Sequence, residues 1–408
     1  MDIWSEPPCN EFKIYMRKLL SVTVNEASWP GRALPPPSLR GVSSTKIEVM
    51  DMMLHIGCLA IPPDLTEVSI NSWWAWLRYA SAFSVNGSFL LRKEYAELDP
   101  HQKTVLSDDF GMGVSLVYLI DKLNLQSVFD GRYFVKFLLP TVDAEVAKIA
   151  KNGQFKSPDF IGKDARGRWH AIECKGTQTS NDQRREQIRS GTLQKANIVF
   201  PHHIRGEKLV SALLIGREGG DFSSSLRIDD PEGDIAFEIN NENLGEAQDA
   251  VVRATLARAV GVAGFQRSAA IVASPYGARP FDRETSGDEE ALRRKAMARM
   301  RQAAASELHR SSLAPGRIKD GSKAGREVRI ELPRPIRVGG RSYNSIEASL
   351  TIPNGLHELL GEVAAERTEN SSKFLDEFDI RGFKSSGDQT VRRLDVGNIF
   401  SGELRLRR

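Results

Sequence analysis

The chain has 408 residues, of which 40% are hydrophobic and 27% are charged, and its net charge at pH 7 is +3. This length exceeds that of a usual single domain and predicts two or three domains in a soluble protein of ordinary composition. The small net charge excludes a global basic field, so any surface that binds nucleic acid must be local.

The three cysteines of the chain are Cys9, Cys58 and Cys174. They cannot form a disulfide framework, none has the spacing of a metal ligand, and their number fits a reducing cytosol. Residues 1–6 lack the basic and apolar pattern of a signal peptide, and no apolar run is long enough to span a bilayer. We therefore expect a cytoplasmic protein with no membrane partner.

Residues 1–98 are predicted to form a helical N-terminal region. The spacing of apolar residues predicts helices over residues 11–20, 46–59 and 72–83. The third of these carries a stripe of tryptophans and a tyrosine. Such a stripe usually belongs to a core, and stacking on nucleobases is the alternative.

Residues 99–216 are predicted to form an α/β core. A helix is expected to begin at Ser107, which would cap it, with Asp108 and Asp109 in its first turn. Further along the chain, the pattern of apolar residues predicts a series of elements. These are a strand over residues 133–139, a short helix over 144–150, a helix or strand over 188–199, and a buried strand over 208–216.

Residues 155–176 are predicted to form a hairpin, because a polar cluster that ends in Gly167 separates two apolar runs. In the returning strand, side chains alternate between faces, so Glu173 and Lys175 share one face while Cys174 faces the core. Asp159 begins the preceding strand and is expected beside Glu173. Two carboxylates and an ammonium group are costly to hold together unless a hard divalent cation neutralises them.

The pairs Pro158-Asp159 and Glu173-x-Lys175 resemble the motif of the PD-(D/E)xK nuclease superfamily. The resemblance implies a restriction-endonuclease-like mixed β-sheet core flanked by helices. It also implies that Asp159, Glu173 and the carbonyl of Cys174 hold Mg²⁺, which Mn²⁺ can replace, and that Lys175 positions or activates the attacking water. The alternative is a surface hairpin with an ordinary Glu–Lys ion pair, since Glu-x-Lys alone also occurs at residues 11–13.

The same resemblance implies two further site residues. A helix before the hairpin often contributes a third acid, and the stretch at Ser107 is similar to that helix, with Asp108 favoured over Asp109. The alternative is that both acids only cap the helix. A glutamine on the helix after the lysine strand is also expected. Gln194 resembles that position, and Gln178 and Gln187 are its rivals.

Residues 217–408 are predicted to form an α+β region. The expected elements are a strand pair over residues 226–239, a helix over 244–260, a basic helix over 279–312, a hairpin over 328–350 with a Gly-Gly turn, and a helix over 356–365. The basic residues of the long helix are expected to contact phosphates. A solvated helical face or a partly ordered linker is the alternative.

The resemblance implies a Mg²⁺-dependent endonuclease that acts on DNA in preference to RNA. By family analogy, it would be the effector of a bacterial defence or restriction system with a partner protein such as a separate ATPase or sensor subunit. The first alternative is a nuclease-fold subunit that binds nucleic acid or assembles a complex without its own catalysis. The second is a metal-free α/β protein in which Glu173 and Lys175 form a structural pair.

Overall fold

The structure of the protein is a computed structural model. It describes residues 12–13, 17–63, 79, 82–138, 157–196, 198–232, 237–274, 287–310, 317–319, 321–364 and 377–408. The predicted helix over residues 144–150 and nearly all of the one over 72–83 lie outside these residues. None of the described helices is long and apolar enough to cross a membrane.

The described residues form eight α-helices and sixteen β-strands. The helices are α1 (Val49–Leu59), α2 (Pro100–Leu123), α3 (Gly131–Leu138), α4 (Asn181–Ala196), α5 (Leu244–Val262), α6 (Gln266–Ala273), α7 (Gly287–Arg310) and α8 (Asn354–Ala364). The first ten strands are β1 (Phe12–Lys13), β2 (Arg17–Val24), β3 (Ser44–Glu48), β4 (Leu125–Asp130), β5 (Phe160–Asp164), β6 (Trp169–Thr177), β7 (Ile198–Val199), β8 (Arg205–Leu214), β9 (Ser225–Asp229) and β10 (Phe237–Glu238). The others are β11 (Arg317–Lys319), β12 (Lys323–Val338), β13 (Arg341–Pro353), β14 (Phe383–Gly387), β15 (Val391–Val396) and β16 (Phe400–Arg407).

The predicted α/β class is confirmed by a mixed central sheet with the strand order β3-β2-β9-β8-β6-β5-β4. Strands β6 and β8 are parallel, as are β2 and β9, and the other neighbours are antiparallel. Helices α2 and α4 pack on this sheet at β6 and β8. The sheet takes strands from all three predicted regions, so it crosses the boundaries predicted at residues 98 and 216.

A second sheet is built mainly from the C-terminal part of the chain, with the short N-terminal strand β1 at one edge. Its order is β1-β12-β13-β16-β15-β14, with β11 beside β12. The predicted hairpin is confirmed as β12 and β13, joined at Gly339 and Gly340. Both glycines have positive φ, 58° and 79°, which a tight two-residue hairpin turn requires. In this sheet, β16 alternates between partly exposed and buried residues, so its buried side faces the rest of the protein.

Helix α1 is buried along its whole length and lies between α2 and the C-terminal sheet. On one side, a Cβ at Gly113 of α2 would lie 2.6 Å from Cγ1 of Ile56, so the two helices cross closely. On the other side, Asp51 forms a two-point ion pair with Arg392 of β15, with an Nε–Oδ1 distance of 3.0 Å. Helix α1 therefore connects the two sheets.

The helix predicted over residues 11–20 is wrong, because β2 begins at Arg17 and is a strand of the central sheet. Its buried positions alternate as Lys18, Leu20 and Val22. Lys18 is fully buried, and its ammonium group donates hydrogen bonds to the carbonyls of Ser84 and Asn86. Burial lowers the pKa of Lys18 to about 8. A charged residue in the inward position hid the two-residue period of this strand.

The helix start predicted at Ser107 is also wrong, because α2 begins at Pro100. Asp99 is the N-cap, and its carboxylate accepts hydrogen bonds from two backbone N–H groups of the first turn. Proline is well suited to the first helical position, since its missing N–H would have no partner there. Ser107 lies inside the helix, where its hydroxyl donates to the carbonyl of Lys103 at 2.7 Å.

The strand predicted over residues 133–139 is wrong as well, since residues 133–138 belong to helix α3 and residue 139 lies outside the described residues. The Asp130 carboxylate accepts the N–H of Tyr133 at 2.6 Å and thereby caps the helix. The helix buries an apolar stripe whose spacing also permits a two-residue period. Its members are Tyr133, Phe134, Val135, Phe137 and Leu138.

Several other predictions can be compared with the structure directly. The structure confirms the hairpin that ends at Lys175, which is β5 and β6, as well as the buried strand β8 and helices α5, α7 and α8. The helix predicted over residues 46–59 begins at Val49, after strand β3. The element predicted over residues 188–199 is helix α4, which begins earlier at Asn181, followed by the short strand β7. The pairing expected within residues 226–239 is wrong, because β9 lies between β8 and β2 while β10 pairs with β7.

Candidate active site

The site is built on the hairpin of β5 and β6. Phe160 pairs with Ile172 in the antiparallel register, and Gly167 has a φ of 79° in the turn. The Asp164 carboxylate accepts the backbone N–H groups of Arg166 and Arg168 at 2.9 and 2.8 Å. The turn is thereby closed by its own side chain, which fixes the register of the two strands.

Asp159 and Glu173 are held side by side by two reciprocal hydrogen bonds. The N–H of Cys174 donates to Oδ2 of Asp159 at 2.8 Å. The N–H of Asp159 donates to Oε2 of Glu173 at 3.1 Å. Each carboxylate is thus oriented by the backbone next to the other, and each keeps one oxygen that these two bonds do not use.

The first residue of helix α3 fixes the loop that carries Asp159. The N–H of Gly131 donates to the carbonyl of Asp159 at 3.0 Å. A Cβ at Gly131 would lie only 2.0 Å from the carbonyl oxygen of Pro158, so only glycine permits this approach. Pro158 itself is buried. The contacts with Gly131 therefore fix the backbone position of the Pro158-Asp159 pair.

Lys175 and Glu173 lie on the same face of β6, as predicted. The ammonium nitrogen of Lys175 is 2.5 Å from Oε1 of Glu173, whose side chain is fully buried, while the side chain of Lys175 is 20% exposed. Burial lowers the pKa of Lys175, but the charges of Glu173 and Asp159 outweigh burial, so its pKa is raised. The lysine therefore remains an ammonium group.

When both are ionised, the two carboxyl groups carry more negative charge than the nearby Lys175 neutralises. Burial, and then the charge of Asp159, raises the pKa of Glu173 to about 8, against the opposing effect of Lys175. Burial also raises the pKa of Asp159, and Lys175 and the N–H of Cys174 oppose that rise. One nearby ammonium group thus does not offset the cost of two desolvated carboxylates.

Helix α2, which carries Asp108, crosses β6 closely at two glycines. A Cβ at Gly111 would lie 2.7 Å from the carbonyl of Lys175, and one at Gly176 would lie 1.8 Å from the carbonyl oxygen of Ser107. The Asp108 side chain is exposed. Partial desolvation raises its pKa, and the charge of Lys175 opposes that rise.

The two acids of the predicted pair have different environments. The charge of Asp108 acts on both Lys175 and Asp159. Asp109 instead accepts a hydrogen bond of 2.5 Å from the phenol of Tyr79. The choice of Asp108 over Asp109 remains a prediction, and these contacts favour it.

Helix α4 covers the opposite face of β6 from α2. A Cβ at Gly191 would lie 3.1 Å from Cγ of Glu173, so the helix packs directly on the site. Among the glutamines, the amide of Gln187 donates to the carbonyl of Gly176 at 3.0 Å. Gln178 reaches α2 instead, through Ser107 and the carbonyl of Lys103. Gln194 lies in α4, but its side chain is outside the described part of the structure, so its role stays a prediction.

The donor set of the site fits a hard divalent cation. Asp159 and Glu173 supply carboxylate oxygens, which Mg²⁺ prefers, and a cation there would stabilise their ionised forms against the burial that raises both pKa values. The N–H and carbonyl of a strand residue point to the same edge, so the carbonyl of Cys174 faces the side on which its N–H binds Asp159. Within the described residues, no cluster of three or more His, Cys, Asp and Glu side chains is arranged to hold a metal ion.

Three glycines that create this geometry were not among the predicted site residues, namely Gly111, Gly176 and Gly191. Two of them lie inside helices, where glycine costs about 1 kcal/mol relative to alanine and therefore indicates a packing requirement. This cost is the feature of the sequence that could have indicated close packing at Gly111 and Gly191. The partner of each glycine is distant in the chain, so the sequence could not show which contact required it.

No protein-family model, curated protein or solved structure matches this chain.

Proposed function

We propose that the protein is a Mg²⁺-dependent endonuclease that hydrolyses phosphodiester bonds, with DNA as its preferred substrate. The observation that carries the proposal is the reciprocal pair of hydrogen bonds between Asp159 and the Glu173-Cys174 backbone. Two carboxylates are held together at a strand end although their pKa values are raised. Such an arrangement is costly for a purely structural site, and perturbed carboxyl groups of this kind are typical of functional sites.

In this mechanism, Asp159, Glu173 and the carbonyl of Cys174 would hold the cation, and Asp108 would complete the site directly or through water. The bound cation supplies charge neutralisation at the phosphate and lowers the pKa of the attacking water. Lys175 keeps its proton and stabilises the negative charge that develops on the phosphate or orients the water. Helix α4 covers Glu173, so the substrate approaches from the side of the exposed Asp108.

The test is an assay of the purified protein with supercoiled plasmid, linear duplex DNA, single-stranded DNA and RNA. Each substrate is incubated with Mg²⁺, Mn²⁺ or EDTA. We expect cleavage of DNA with either metal, none in EDTA, and loss of cleavage in Asp159→Asn and Glu173→Gln. Asp182→Asn is the matched control, because Asp182 is an exposed acid of α4. Cleavage that persists in EDTA or in Asp159→Asn would reject the proposal.

The non-catalytic alternative is a nuclease-fold subunit that binds nucleic acid. The direct contact between Lys175 and Glu173 favours it, because an ion pair can hold this strand end without a metal. It requires that no metal supports cleavage and that Lys175→Ala lowers thermal stability. Under the nuclease proposal, the family analogy adds that a partner protein, such as a separate ATPase or sensor of a bacterial defence system, directs the activity.

A further inference from the structure

Gln178 connects the strand of the site to the helix that carries Asp108. It stands just after β6, and its side-chain amide donates to the carbonyl of Lys103 at 3.1 Å and to the hydroxyl of Ser107 at 3.0 Å. The Ser107 hydroxyl in turn donates to the same carbonyl of Lys103 at 2.7 Å. One amide thus contacts two oxygens in a single turn of α2.

This turn ends immediately before Asp108. The carbonyl of Ser107 packs on Gly176, where a Cβ would lie 1.8 Å from its oxygen. In the preceding turns of α2, residues 100–102 and 104 are exposed, so packing holds this end of the helix less firmly than its buried middle. The hydrogen bonds of the Gln178 amide therefore join the exposed end of α2 to the end of β6.

We propose that Gln178 is a positioning residue, which holds Asp108 at the metal site by fixing the Lys103–Ser107 turn of α2 to the end of β6. This inference rests on the proposed function. The Asp108 carboxylate can act on the cation only while its helix stays in contact with the strand that carries Glu173. Groups that orient a metal ligand in this way typically change metal affinity by about 10–100-fold when they are removed.

The chemistry of the contact requires an amide. The amide nitrogen of Gln178 donates to both oxygens, which a carboxylate oxygen cannot do. Glutamate has the same shape but only acceptors, so Gln178→Glu would place a carboxylate against the carbonyl of Lys103. Gln183→Glu makes the same chemical change at an exposed position at the start of α4 and is the matched control.

The experiment measures Mg²⁺ affinity by titration calorimetry on the full chain. We expect Gln178→Glu to weaken Mg²⁺ binding by about tenfold and Gln183→Glu to leave it unchanged. Asp108→Asn should weaken binding in the wild-type background and have no additional effect in Gln178→Glu, because the helix acid is already displaced. A purely structural role would lower the melting temperature without this non-additivity.

The outcomes separate the inference from the proposed function. If the wild-type protein binds no Mg²⁺ and cuts no nucleic acid, both fail together. If it binds Mg²⁺ but Gln178→Glu behaves as Gln183→Glu does, or its effect adds to that of Asp108→Asn, only the inference is rejected. Gln178→Ala removes the donors without adding charge and decides the question if Gln178→Glu does not fold.

Discussion

Replacing Glu173 by glutamine is expected to stabilise the metal-free protein at alkaline pH. The Glu173 side chain is fully buried, and burial together with the charge of Asp159 raises its pKa to about 8. Glutamine has the shape of the protonated acid and still offers an oxygen to the N–H of Asp159, but its NH2 group takes the place of the oxygen that contacts Lys175. The loss of that contact does not depend on pH, so the two proteins should differ by a constant amount in mildly acidic solution and diverge as Glu173 ionises in the wild type.

The sign and the size follow from the two pKa values. The folded-state pKa of Glu173, about 8, lies above its ordinary value of 4.5, so the unfolded chain loses this proton first as the pH rises. The stability of the wild type therefore falls between pH 4.5 and about 8 and levels off above that range. Each pKa unit is worth about 1.4 kcal/mol, so the loss is on the order of 5 kcal/mol. Asp159 shifts in the same direction, and the measured change belongs to the pair.

The measurement is urea unfolding in EDTA, followed by tryptophan fluorescence, at a series of pH values from about 5 to 9, the window set by the linkage. We expect the unfolding midpoint of Glu173→Gln to exceed that of the wild type increasingly as the pH rises. Glu186→Gln is the control, since Glu186 is an exposed acid on α4. If Glu173→Gln and the wild type keep a constant difference across this window, Glu173 is not the buried, proton-binding carboxyl described here.

Three further predictions concern Lys175, Gly176 and the basic helix α7. Lys175→Ala should slow cleavage by at least about 100-fold with little change in melting temperature, because the buried Glu173 can take up a proton; wild-type rates would reject the mechanism. Gly176→Ala should destabilise the protein by about 3 kcal/mol in urea unfolding, because its Cβ would collide with the carbonyl of Ser107, whereas Gly245→Ala, where a Cβ meets nothing within 4 Å, should not. Neutralising three basic residues of α7 should lower the salt dependence of nucleic-acid binding by about three counterions for unrelated sequences, and a loss confined to one sequence would contradict it. These three residues are Arg294, Lys295 and Arg299.

The part of the site that could be predicted from the sequence is local. The hairpin was visible because Gly167 separates two apolar runs, and strand alternation alone put Glu173 and Lys175 on one face. Asp159 was expected beside Glu173 because hairpin pairing constrains neighbours in register. In each case, the contacts that determine the structure join residues of a single hairpin. The pattern of apolar and polar residues in the sequence can predict such contacts.

The part that could not be predicted depends on contacts between distant segments. A lysine is expected on the surface, but Lys18 is buried because carbonyls of the distant loop at Ser84 accept hydrogen bonds from its ammonium group. Ser107 has the residue type and acidic neighbours of a helix cap, yet Asp99 and Pro100 upstream start the helix. Local propensity favoured both errors, and tertiary contacts overrode it.

The burial of α1 has a consequence for the order in which the chain can fold during synthesis. Asp51 and Arg392 are 341 residues apart in the chain, so a ribosome that adds about 5–20 residues per second needs roughly 20–70 s between them. During that interval, the face of α1 that will meet β15 and β16 remains uncovered, with the Asp51 carboxylate still without its arginine. A nascent chain of this protein therefore carries an apolar helix that chaperones can bind until its last strands emerge. Translation that stalls before β15 should leave the earlier segments, including the β5–β6 hairpin, assembled around an open side, and such chains should be the ones that aggregate or are degraded.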